Sequence, residues 1–330
     1  MGSAAGMRVL VTGAGLVGCH AAAELARAGH EVTLLDARPD PAYARAIAGP
    51  AADVVTGDVT DVAATTRALR RARADAVVHS AALLGDKARR APHLAFRVNA
   101  WGTAAVAEAA RAAGVRRLVH LSSLAVYDWE AVRGWTPVGE DFPTAPRNVY
   151  AASKLAGEAA ARCYRAMGWL EVATLRLAGV YGPGQFRGGS RMGSLLQRTV
   201  AAALRGEPVT VPRSLAGHEY LHARDAARAV RLALEHGDAA GGVYNIGTGR
   251  VHGAGAVAAA LRAALPTARV DAPEAVAPQP PLDLRRAAAH LGYRVTWDLP
   301  SGIADMAGAL LRHPFLLQPL QTKAHAEARS

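Results

Sequence analysis

The chain has 330 residues, enough to bury a large core in one big domain or in two closely packed ones. Hydrophobic residues make up 51% of it, as is typical of a packed α/β protein, and it contains no run of about 20 apolar residues that would predict a membrane span. The formal charge of +11 comes without a basic cluster interleaved with aromatic residues, so we expect no nucleic-acid partner.

The first six residues, MGSAAG, precede a second methionine, Met7, and we interpret them as a leader or a tag and not as a secretory signal. The two cysteines, Cys19 and Cys163, fall in predicted helices and lack metal-ligand spacing. They predict two buried thiols in a reducing compartment, which implies a cytoplasmic protein without a metal site.

The first predicted element is the apolar run from Met7 to Thr12, which indicates a buried parallel strand. The loop GAGLVG at 13–18 and a helical pattern follow, and a second strand ends at Asp36. This order is the dinucleotide-binding fingerprint, in which glycines let the backbone approach a diphosphate at a helix N-terminus. The Asp36 carboxylate would bond both ribose hydroxyls and repel a 2′-phosphate. It favours NAD over NADP, although Arg38 keeps NADP possible.

Strands and helices go on alternating along the chain. Further strands are predicted at 52–57, 75–80, 117–123 and 170–176, and further helices at 58–73, 92–114 and 148–168. Strands that alternate with helices of this length predict a doubly wound parallel sheet of the Rossmann type, covered on both faces.

The regular alternation of predicted strands and helices ends after Arg176. A glycine-rich segment with one helix is predicted at 177–212, short strands that return to the main body at 219–222 and 242–246, and closing helices near 284–290 and 301–311. We therefore predict a dinucleotide-binding domain over 7–176, to which 214–250 returns, and a smaller, mixed substrate-binding region over 177–213 and 251–312. Residues 313–330 are predicted to be a tail.

Tyr150 and Lys154 lie four residues apart in the helix predicted at 148–168, so they share one face of it. A neighbouring ammonium favours the phenolate and would bring the pKa of the phenol down from about 10. The pair is therefore suited to proton transfer with an alcohol or a carbonyl. Only three of the 38 basic residues are lysines, and Lys154 is one of them, where a compact ammonium is wanted.

Taken in order, the motifs of this chain resemble those of the extended short-chain dehydrogenase/reductase family, which includes NAD-dependent sugar-nucleotide epimerases and dehydratases. The resemblance covers about 7–311. It rests on the glycine loop at 12–18, Asp36, GDV at 57–59, HSAA at 79–82, VNAWGT at 98–103, LSS at 121–123, VY at 126–127, Tyr150, Lys154, LR at 175–176, VYGP at 180–183 and YNIG at 244–247.

The resemblance implies hydride transfer at a secondary alcohol or ketone, with Tyr150 as the catalytic acid/base. Lys154 would hold the nicotinamide ribose and lower the pKa of Tyr150, and Ser123 would hydrogen-bond the reacting oxygen. Besides Tyr150 and Lys154, the residues expected to bind the cofactor are Gly13, Gly15, Leu16, Val17, Gly18, Asp36, Ala37, Arg38, Asp58, Val59, Ser80, Ala81, Ala82, Leu83, Asn99, Leu121, Ser122, Leu177 and Val180. Those expected to contact the substrate are Leu84, Ser123, Leu124, Tyr150, Gly179, Arg187, Arg191 and His218.

The chain departs from the family's motifs at four places. Its glycine loop reads GxGxxG instead of GxxGxxG, and Leu124 and Ala125 stand where 4,6-dehydratases carry an Asp-Glu pair, so elimination of water is not expected. Gly179 stands where the sugar-nucleotide enzymes usually have an Asn that binds the substrate diphosphate, and His218 stands where they often have an Arg. The loss of both side chains weakens the case for a nucleotide-diphospho-sugar substrate. The arginines that could substitute for them are Arg187, Arg191 and Arg213.

We therefore expect an NAD-dependent oxidoreductase or epimerase that acts on a sugar-like or polyol substrate. One alternative is a carbonyl reductase or dehydrogenase for an apolar, sterol-like or secondary-metabolite alcohol, which Leu84, Leu124 and Gly179 would favour. Another is a non-catalytic dinucleotide sensor or scaffold, a class that usually lacks the tyrosine or the lysine. The family also implies a homodimer that pairs through the helices predicted at 92–114 and 148–168.

Overall fold

Strands and helices alternate through the first half of the chain in the computed structural model, which describes residues 6–50, 53–185, 190–236, 242–273 and 279–317. The strands are β1 (Arg8–Thr12), β2 (Glu31–Asp36), β3 (Asp53–Thr56), β4 (Ala76–His79), β5 (Arg117–Ser123), β6 (Glu171–Leu177), β7 (Gly179–Tyr181), β8 (Val209–Thr210), β9 (His218–His222), β10 (Val243–Ile246), β11 (Val251–His252) and β12 (Val270–Asp271). The helices are α1 (Leu16–Arg27), α2 (Pro41–Ala48), α3 (Val62–Arg71), α4 (Gly85–Arg90), α5 (Pro92–Phe96), α6 (Gly102–Ala113), α7 (Val149–Ala166), α8 (Arg191–Leu204), α9 (Ala223–Glu235), α10 (Ala254–Ala264), α11 (Arg285–Leu291) and α12 (Leu299–Arg312).

Seven of these strands form one sheet in the order β10-β6-β5-β4-β1-β2-β3, and every pair of neighbours in it is parallel. The strand order reverses between β1 and β4, which opens a crevice at the carboxyl ends of the strands. The predicted Rossmann-type doubly wound sheet is confirmed.

The sheet is buried on both faces because its strands are almost entirely apolar. In β1, Val9 and Val11 pack into one core cluster and Leu10 packs into the other. Successive side chains of a strand point to opposite faces, so a continuous apolar run places side chains in both core clusters. The helices α1 and α9 cover one face, and α3 and α6 cover the other.

Two smaller sheets lie outside the central one. In the first, β9 pairs in parallel with β7 and antiparallel with β11, and in the second β8 pairs with β12. Of the two strands predicted to return to the main body, β10 joins the central sheet beside β6, whereas β9 belongs to the smaller sheet. The predicted division into a dinucleotide-binding domain and a substrate-binding region stays a prediction.

The helix predicted at 92–114 is confirmed as one helical segment over 92–113, in which a π-helical turn (Arg97–Trp101) joins α5 to α6. One local prediction was wrong. Cys163 is exposed and not buried, because it lies on the outer side of α7, whereas Cys19 is buried in α1 as expected.

Among the described helices, none combines the length and the apolar character needed to cross a bilayer. The described residues also hold no group of three or more His, Cys, Asp or Glu side chains arranged for a metal ion.

Candidate active site

The carboxyl ends of β1, β4 and β5 bring the predicted site residues to one edge of the sheet. Thr12 ends β1 beside His79 at the end of β4, and Ser123 is the last residue of β5. Helix α7, which carries Tyr150 and Lys154, packs against β5. The site is thus assembled at the crevice where open parallel sheets bind their ligands.

The glycine loop after β1 needs two of its glycines for steric reasons. Gly13 has a φ of +86°, and a Cβ on it would come within 2.7 Å of the Ala81 backbone. A Cβ on Gly18 would overlap the carbonyl oxygen of Gly13. Ser80, which follows β4, stabilises the start of this loop by donating a 2.6 Å hydrogen bond to the Thr12 carbonyl. Glycine is therefore required at both positions by the fold itself.

Gly15 has a different role, because it faces open space. Among the described residues, nothing lies within 4 Å of a Cβ placed on it. Gly15 is also the N-cap of α1, so no capping side chain accepts from the first N–H groups of that helix, which belong to Leu16 and Val17. The free donors and the helix dipole suit a diphosphate, so these residues fit a dinucleotide in spite of the shortened glycine motif.

The open space above Gly15 leads to a first prediction. The substitution Gly15→Ala is expected to leave the unfolding temperature unchanged, because Gly15 has a φ of −88° and its Cβ would meet no atom of the chain. It is expected to weaken NAD binding by about 10-fold or more, because a methyl group would stand where the diphosphate approaches the backbone. Titration calorimetry with NAD measures this loss. An unchanged affinity would mean that the diphosphate lies elsewhere.

Asp36 is held at the rim of the same crevice. One oxygen of its carboxylate accepts from the Ala14 N–H at 2.9 Å, and the other accepts from the Arg38 N–H at 2.8 Å. Ala37, Arg38 and Asp58 are exposed on either side of it, and Val59 is buried beneath. This arrangement presents a fixed acceptor at the end of β2, where a ribose would be bound.

The wall of the crevice opposite α1 is built by the segment after β4. Ser80, Ala81, Ala82 and Leu83 are half-buried there. Asn99 is fully buried and does not reach the open crevice. Its side chain pairs with the Leu83 backbone, accepting from the N–H at 2.7 Å and donating to the carbonyl at 2.9 Å. Asn99 therefore shapes the wall through Leu83. Four other predicted cofactor residues lie buried around the strand ends, namely Leu121, Ser122, Leu177 and Val180.

Tyr150 and Ser123 lie near each other at the end of β5. Burial raises the pKa of Tyr150 above its ordinary value of 10.0, and the nearby Ser123 hydroxyl opposes that rise. Ser123 also accepts from the Ala125 N–H at 3.2 Å, which begins the 3₁₀ turn after β5. The lowering of this pKa by Lys154 stays a prediction for the cofactor-bound enzyme.

Lys154 lies on the same face of α7, one turn further on, and is only 2% exposed. Burial lowers the pKa of its ammonium to about 8, and the carboxylate of Glu158 opposes that shift. Two buried imidazoles, those of His79 and His120, are stacked with 5.7 Å between ring centroids. Lys154 lowers the pKa of both, after the larger effect of burial. Neutral rings are therefore expected next to this ammonium.

The buried ammonium gives a second prediction. Lys154 has a pKa of about 8 in the folded chain against an ordinary value of 10.5, so its burial costs up to about 3 kcal/mol below pH 8. Between pH 8 and 10.5 the folded state binds fewer protons than the unfolded one, so this cost declines as the pH rises. The variant Lys154→Met is expected to be more stable than wild type at pH 7, and the difference should shrink by about pH 10. Urea unfolding at both pH values measures it. A variant that is less stable at pH 7 would contradict the prediction.

A buried ion pair behind Lys154 was not predicted from the sequence. Arg176, in β6, donates to both carboxylate oxygens of Glu158 at 3.0 and 2.8 Å, and both side chains are less than 10% exposed. The guanidinium also lies 4.8 Å from the centre of the Tyr127 ring. Glu158 follows Lys154 by four residues on α7, so this pair fixes α7 against the sheet.

The predicted substrate residues differ in where the structure places them. Leu84 and Leu124 are half-buried near the strand ends, Arg191 is exposed at the start of α8, and His218 bonds the Ser214 carbonyl at 2.9 Å. Arg187 lies outside the described residues. Gly179 lies two residues beyond Leu177, the register partner of Ser123.

Gly179 lies close to the end of the Met192 side chain. A Cβ on Gly179 would come within 2.7 Å of the Met192 methyl group and 3.0 Å of the Glu219 carbonyl. Met192 is itself buried in the first turn of α8. This part of the crevice is therefore lined by a flexible thioether, which would have to move to admit a side chain at 179.

Comparisons with known proteins agree with this geometry. A model of the NAD dependent epimerase/dehydratase family matches residues 9–247. The UDP-glucose 4-epimerase of Corynebacterium glutamicum is 35% identical over 258 residues, which cover 74% of this chain and 76% of the relative. The dTDP-glucose 4,6-dehydratase of Streptomyces niveus is 33% identical over 259 residues, which cover 74% and 73%.

Solved structures show the same fold. MoeE5 in complex with UDP-glucuronic acid and NAD has a TM-score of 0.75 and 30% identity, covering 92% of this chain and 99% of that one. The UDP-glucose 4-epimerase of Thermus thermophilus, in complex with NAD, has a TM-score of 0.78 and 29% identity, covering 93% and 100%. NAD as the cofactor is thereby confirmed. The chain belongs to the NAD-dependent epimerase/dehydratase family and is an enzyme of the extended short-chain dehydrogenase/reductase type.

Proposed function

We propose that this enzyme transfers a hydride at a secondary alcohol of a nucleotide-linked sugar, with net epimerisation at that carbon. One observation supports this above the others. The Tyr150 phenol lies next to the Ser123 hydroxyl, one helical turn from a buried Lys154, at the edge of a crevice that fits a dinucleotide. NAD, when bound, supplies the hydride acceptor, and the chain supplies the proton transfer and the geometry.

In this proposal each side chain has one task. Tyr150 takes the hydroxyl proton as the carbinol carbon gives up its hydride, and returns the proton when the ketone is reduced from the other face. Ser123 donates to the reacting oxygen and holds it beside the phenol. Lys154 binds the nicotinamide ribose and favours the phenolate of Tyr150.

Elimination of water is not part of the proposed reaction. Leu124 and Ala125 carry no acid at the two positions after Ser123. The nearest carboxylates along the chain, Asp128 and Glu130, are bound by the Arg147 guanidinium at 3.5 and 2.6 Å. A paired carboxylate on the surface is a poor donor of the proton that a departing hydroxyl needs.

The substrate class is supported by the relatives, several of which are UDP-glucose 4-epimerases. In this chain, we assign binding of the substrate diphosphate to side chains other than an asparagine at 179, because that position is a glycine. His218, Arg191 and Arg213 are the candidates on the substrate side. Arg191 and Arg213 carry the positive charge that a diphosphate requires.

Two measurements on the purified enzyme test the proposal. Denaturing extraction is expected to release about one NAD per chain, because an epimerase regenerates its cofactor in each cycle. Incubation with UDP-hexoses and dTDP-hexoses, followed by anion-exchange separation, is expected to yield an epimer of one of them without accumulation of NADH. Accumulation of NADH in step with substrate loss would instead identify a dehydrogenase.

A reductase or dehydrogenase for an apolar alcohol is a second candidate. It is favoured by the apolar lining that Leu84, Leu124 and Met192 give to the crevice. A screen of sterol-like and secondary-metabolite alcohols with NAD, monitored by the absorbance of NADH, distinguishes the two candidates. Turnover of an apolar alcohol without any reaction of sugar nucleotides would favour the second.

We further propose that the enzyme is a homodimer. Leu94, Phe96 and Trp101 lie within eight residues of one another in the segment that runs from α5 into the π-helical turn. All three are exposed. Several large apolar side chains exposed in one short segment are typical of a subunit interface. An exposed free thiol at Cys163 supports the reducing cytoplasm as its location.

The proposed interface gives a third prediction. The double substitution Phe96→Glu with Trp101→Glu is expected to yield a monomer, because two charges would be buried in the interface. Trp135→Glu is the matched control, because Trp135 is as exposed but lies on the loop before α7. Light scattering after size-exclusion chromatography measures the mass. A double variant with the mass of wild type would place any interface elsewhere.

A further inference from the structure

The buried side chains between the glycine loop and α7 form two runs of hydrogen bonds that meet at Asn99, one at its backbone carbonyl and the other at its side-chain amide. At one end, Thr12 Oγ1 lies 2.8 Å from His79 Nδ1. The other nitrogen of the ring, Nε2, lies 3.2 Å from Thr103 Oγ1. Thr103 in turn donates to the backbone carbonyl of Asn99 at 2.7 Å. Thr12, His79, Thr103 and Asn99 are all fully buried.

The series continues from Asn99 to the first turn of α7. The side-chain amide of Asn99 donates to Ser153 Oγ at 2.9 Å, and the Ser153 hydroxyl donates to the backbone carbonyl of Tyr150 at 2.8 Å. The second amide proton of Asn99 goes to the Leu83 carbonyl. Every donor of this amide is therefore used, and the series ends on the residue that carries the catalytic phenol.

The donors and acceptors fix the direction of every bond. A carbonyl oxygen can only accept, so the proton of Thr103 belongs to the Asn99 carbonyl. Thr103 must then accept from His79, which places the imidazole proton on Nε2. A neutral ring with its proton on Nε2 accepts at Nδ1, so Thr12 donates to it. Burial lowers the pKa of His79 to about 3, in keeping with a neutral ring.

The backbone of α7 packs closely against the residues of this series. A Cβ on Gly157 of α7 would come within 2.7 Å of the Asn99 carbonyl and 2.9 Å of Thr103 Oγ1. Asn99 itself lies in the π-helical segment, where the widened turn is often associated with function. Helix α7 therefore packs directly against Asn99 and Thr103, the two residues that link His79 to Ser153.

We propose that His79 is a positioning residue, whose Nε2–H tautomer completes a directed hydrogen-bond series that sets the first turn of α7, and hence Tyr150, relative to the glycine loop. This inference rests on the proposed function only where it concerns turnover. In this account the series holds the phenol at a fixed distance from the cofactor crevice, and a small displacement of a catalytic group costs a large factor in rate.

The tautomer can be measured without any assay of activity. In protein labelled with ¹⁵N-histidine, the ring nitrogen shifts, assigned by through-bond correlation to the His79 backbone, report which nitrogen is protonated. We expect the neutral Nε2–H form from about pH 8 down to about pH 6, because the folded-state pKa lies well below that range. The Nδ1–H form, or a doubly protonated ring at the acidic end of the range, would overturn the proposal.

The variants Thr103→Val and Thr103→Ser form a matched pair. Valine keeps the shape of threonine but removes both hydrogen bonds, whereas serine keeps the hydroxyl and loses only the methyl group. In Thr103→Val we expect kcat to fall about 10-fold, with KM and the Kd for NAD changed less than about 2-fold. We also expect faster hydrogen exchange of the amides at 150–154. Thr103→Ser should restore both readouts.

Each result bears on the proposal. If Thr103→Ser is impaired as much as Thr103→Val, the methyl group acts through packing and the hydrogen-bond series does not position Tyr150. Unchanged exchange at 150–154 in Thr103→Val has the same meaning. If the valine variant does not fold, the pair Thr12→Val and Thr12→Ser tests the other end of the series. If the wild type turns over no secondary alcohol or ketone, the proposed function fails, while the tautomer and the exchange rates still decide the positioning role.

Discussion

The variant Tyr150→Phe is expected to lose about 10³-fold in kcat while it keeps the fold, the NAD affinity and the substrate KM of wild type. Phenylalanine has the same ring in the same helix and lacks only the hydroxyl that lies next to Ser123. General acid/base groups contribute about 10² to 10⁴ in rate, and no other described phenol lies on this face of α7 next to Lys154. Steady-state kinetics with the substrate found for wild type measures the loss.

Tyr164→Phe is the matched control for this variant. Tyr164 is on the same helix, but its hydroxyl donates to Glu108 at 3.2 Å, away from the crevice. Its removal is expected to leave kcat within about 2-fold, because the bond is not part of the site. If Tyr150→Phe behaved like this control, Tyr150 would not be the acid/base, and a non-catalytic dinucleotide sensor would become the better account.

The variant Arg176→Met is expected to lower the free energy of unfolding by about 3–5 kcal/mol. The substitution removes the guanidinium that binds both oxygens of Glu158 and leaves a carboxylate buried without its partner. A free charge in that position is far more costly than the loss of the pair as a unit. Urea unfolding followed by circular dichroism measures the change.

The double variant Glu158→Met with Arg176→Met separates the charge from the packing. At about pH 10, where the buried Lys154 with its pKa of about 8 is neutral and no longer needs the Glu158 carboxylate, it is expected to recover most of the stability that Arg176→Met loses at the same pH. Two apolar side chains of similar volume often replace a buried pair at little cost. Arg205→Met is the surface control, since the pair of Arg205 with Glu207 is exposed, and its unfolding midpoint should not move. A double variant as unstable as Arg176→Met alone would show that packing, and not the unpaired charge, causes the loss.

The central sheet and the glycine loop could be predicted because their signals are local. The strand β1 is apolar on both faces, and the loop that follows it directly contains glycines at positions where a larger residue would clash. Helical periodicity is enough to predict that Tyr150 and Lys154 share one face of α7. Gly179 and His218 could be noticed only as departures from a family pattern, and the sequence offers no reason for them.

Other features depend on contacts between distant segments, which no local pattern reveals. The ion pair of Glu158 joins α7 to β6, and the contact of Gly179 joins β7 to Met192 in α8. The π-helical turn at Arg97–Trp101 could not be predicted either, since the hydrophobic pattern over 92–114 is continuous. The error at Cys163 was avoidable, because nine residues after Lys154 a helix has turned by about two and a half turns, which puts the thiol on the opposite, exposed face.

A crystal structure of the enzyme with NAD tests the central claim most directly. We predict a diphosphate against the N–H groups at the start of α1, a nicotinamide ring beside the Tyr150 hydroxyl, and the Lys154 ammonium at about 3 Å from a ribose hydroxyl. A nicotinamide ring bound outside the crevice, or one that leaves Lys154 and Tyr150 without contact to the cofactor, would contradict the assignment of the active site.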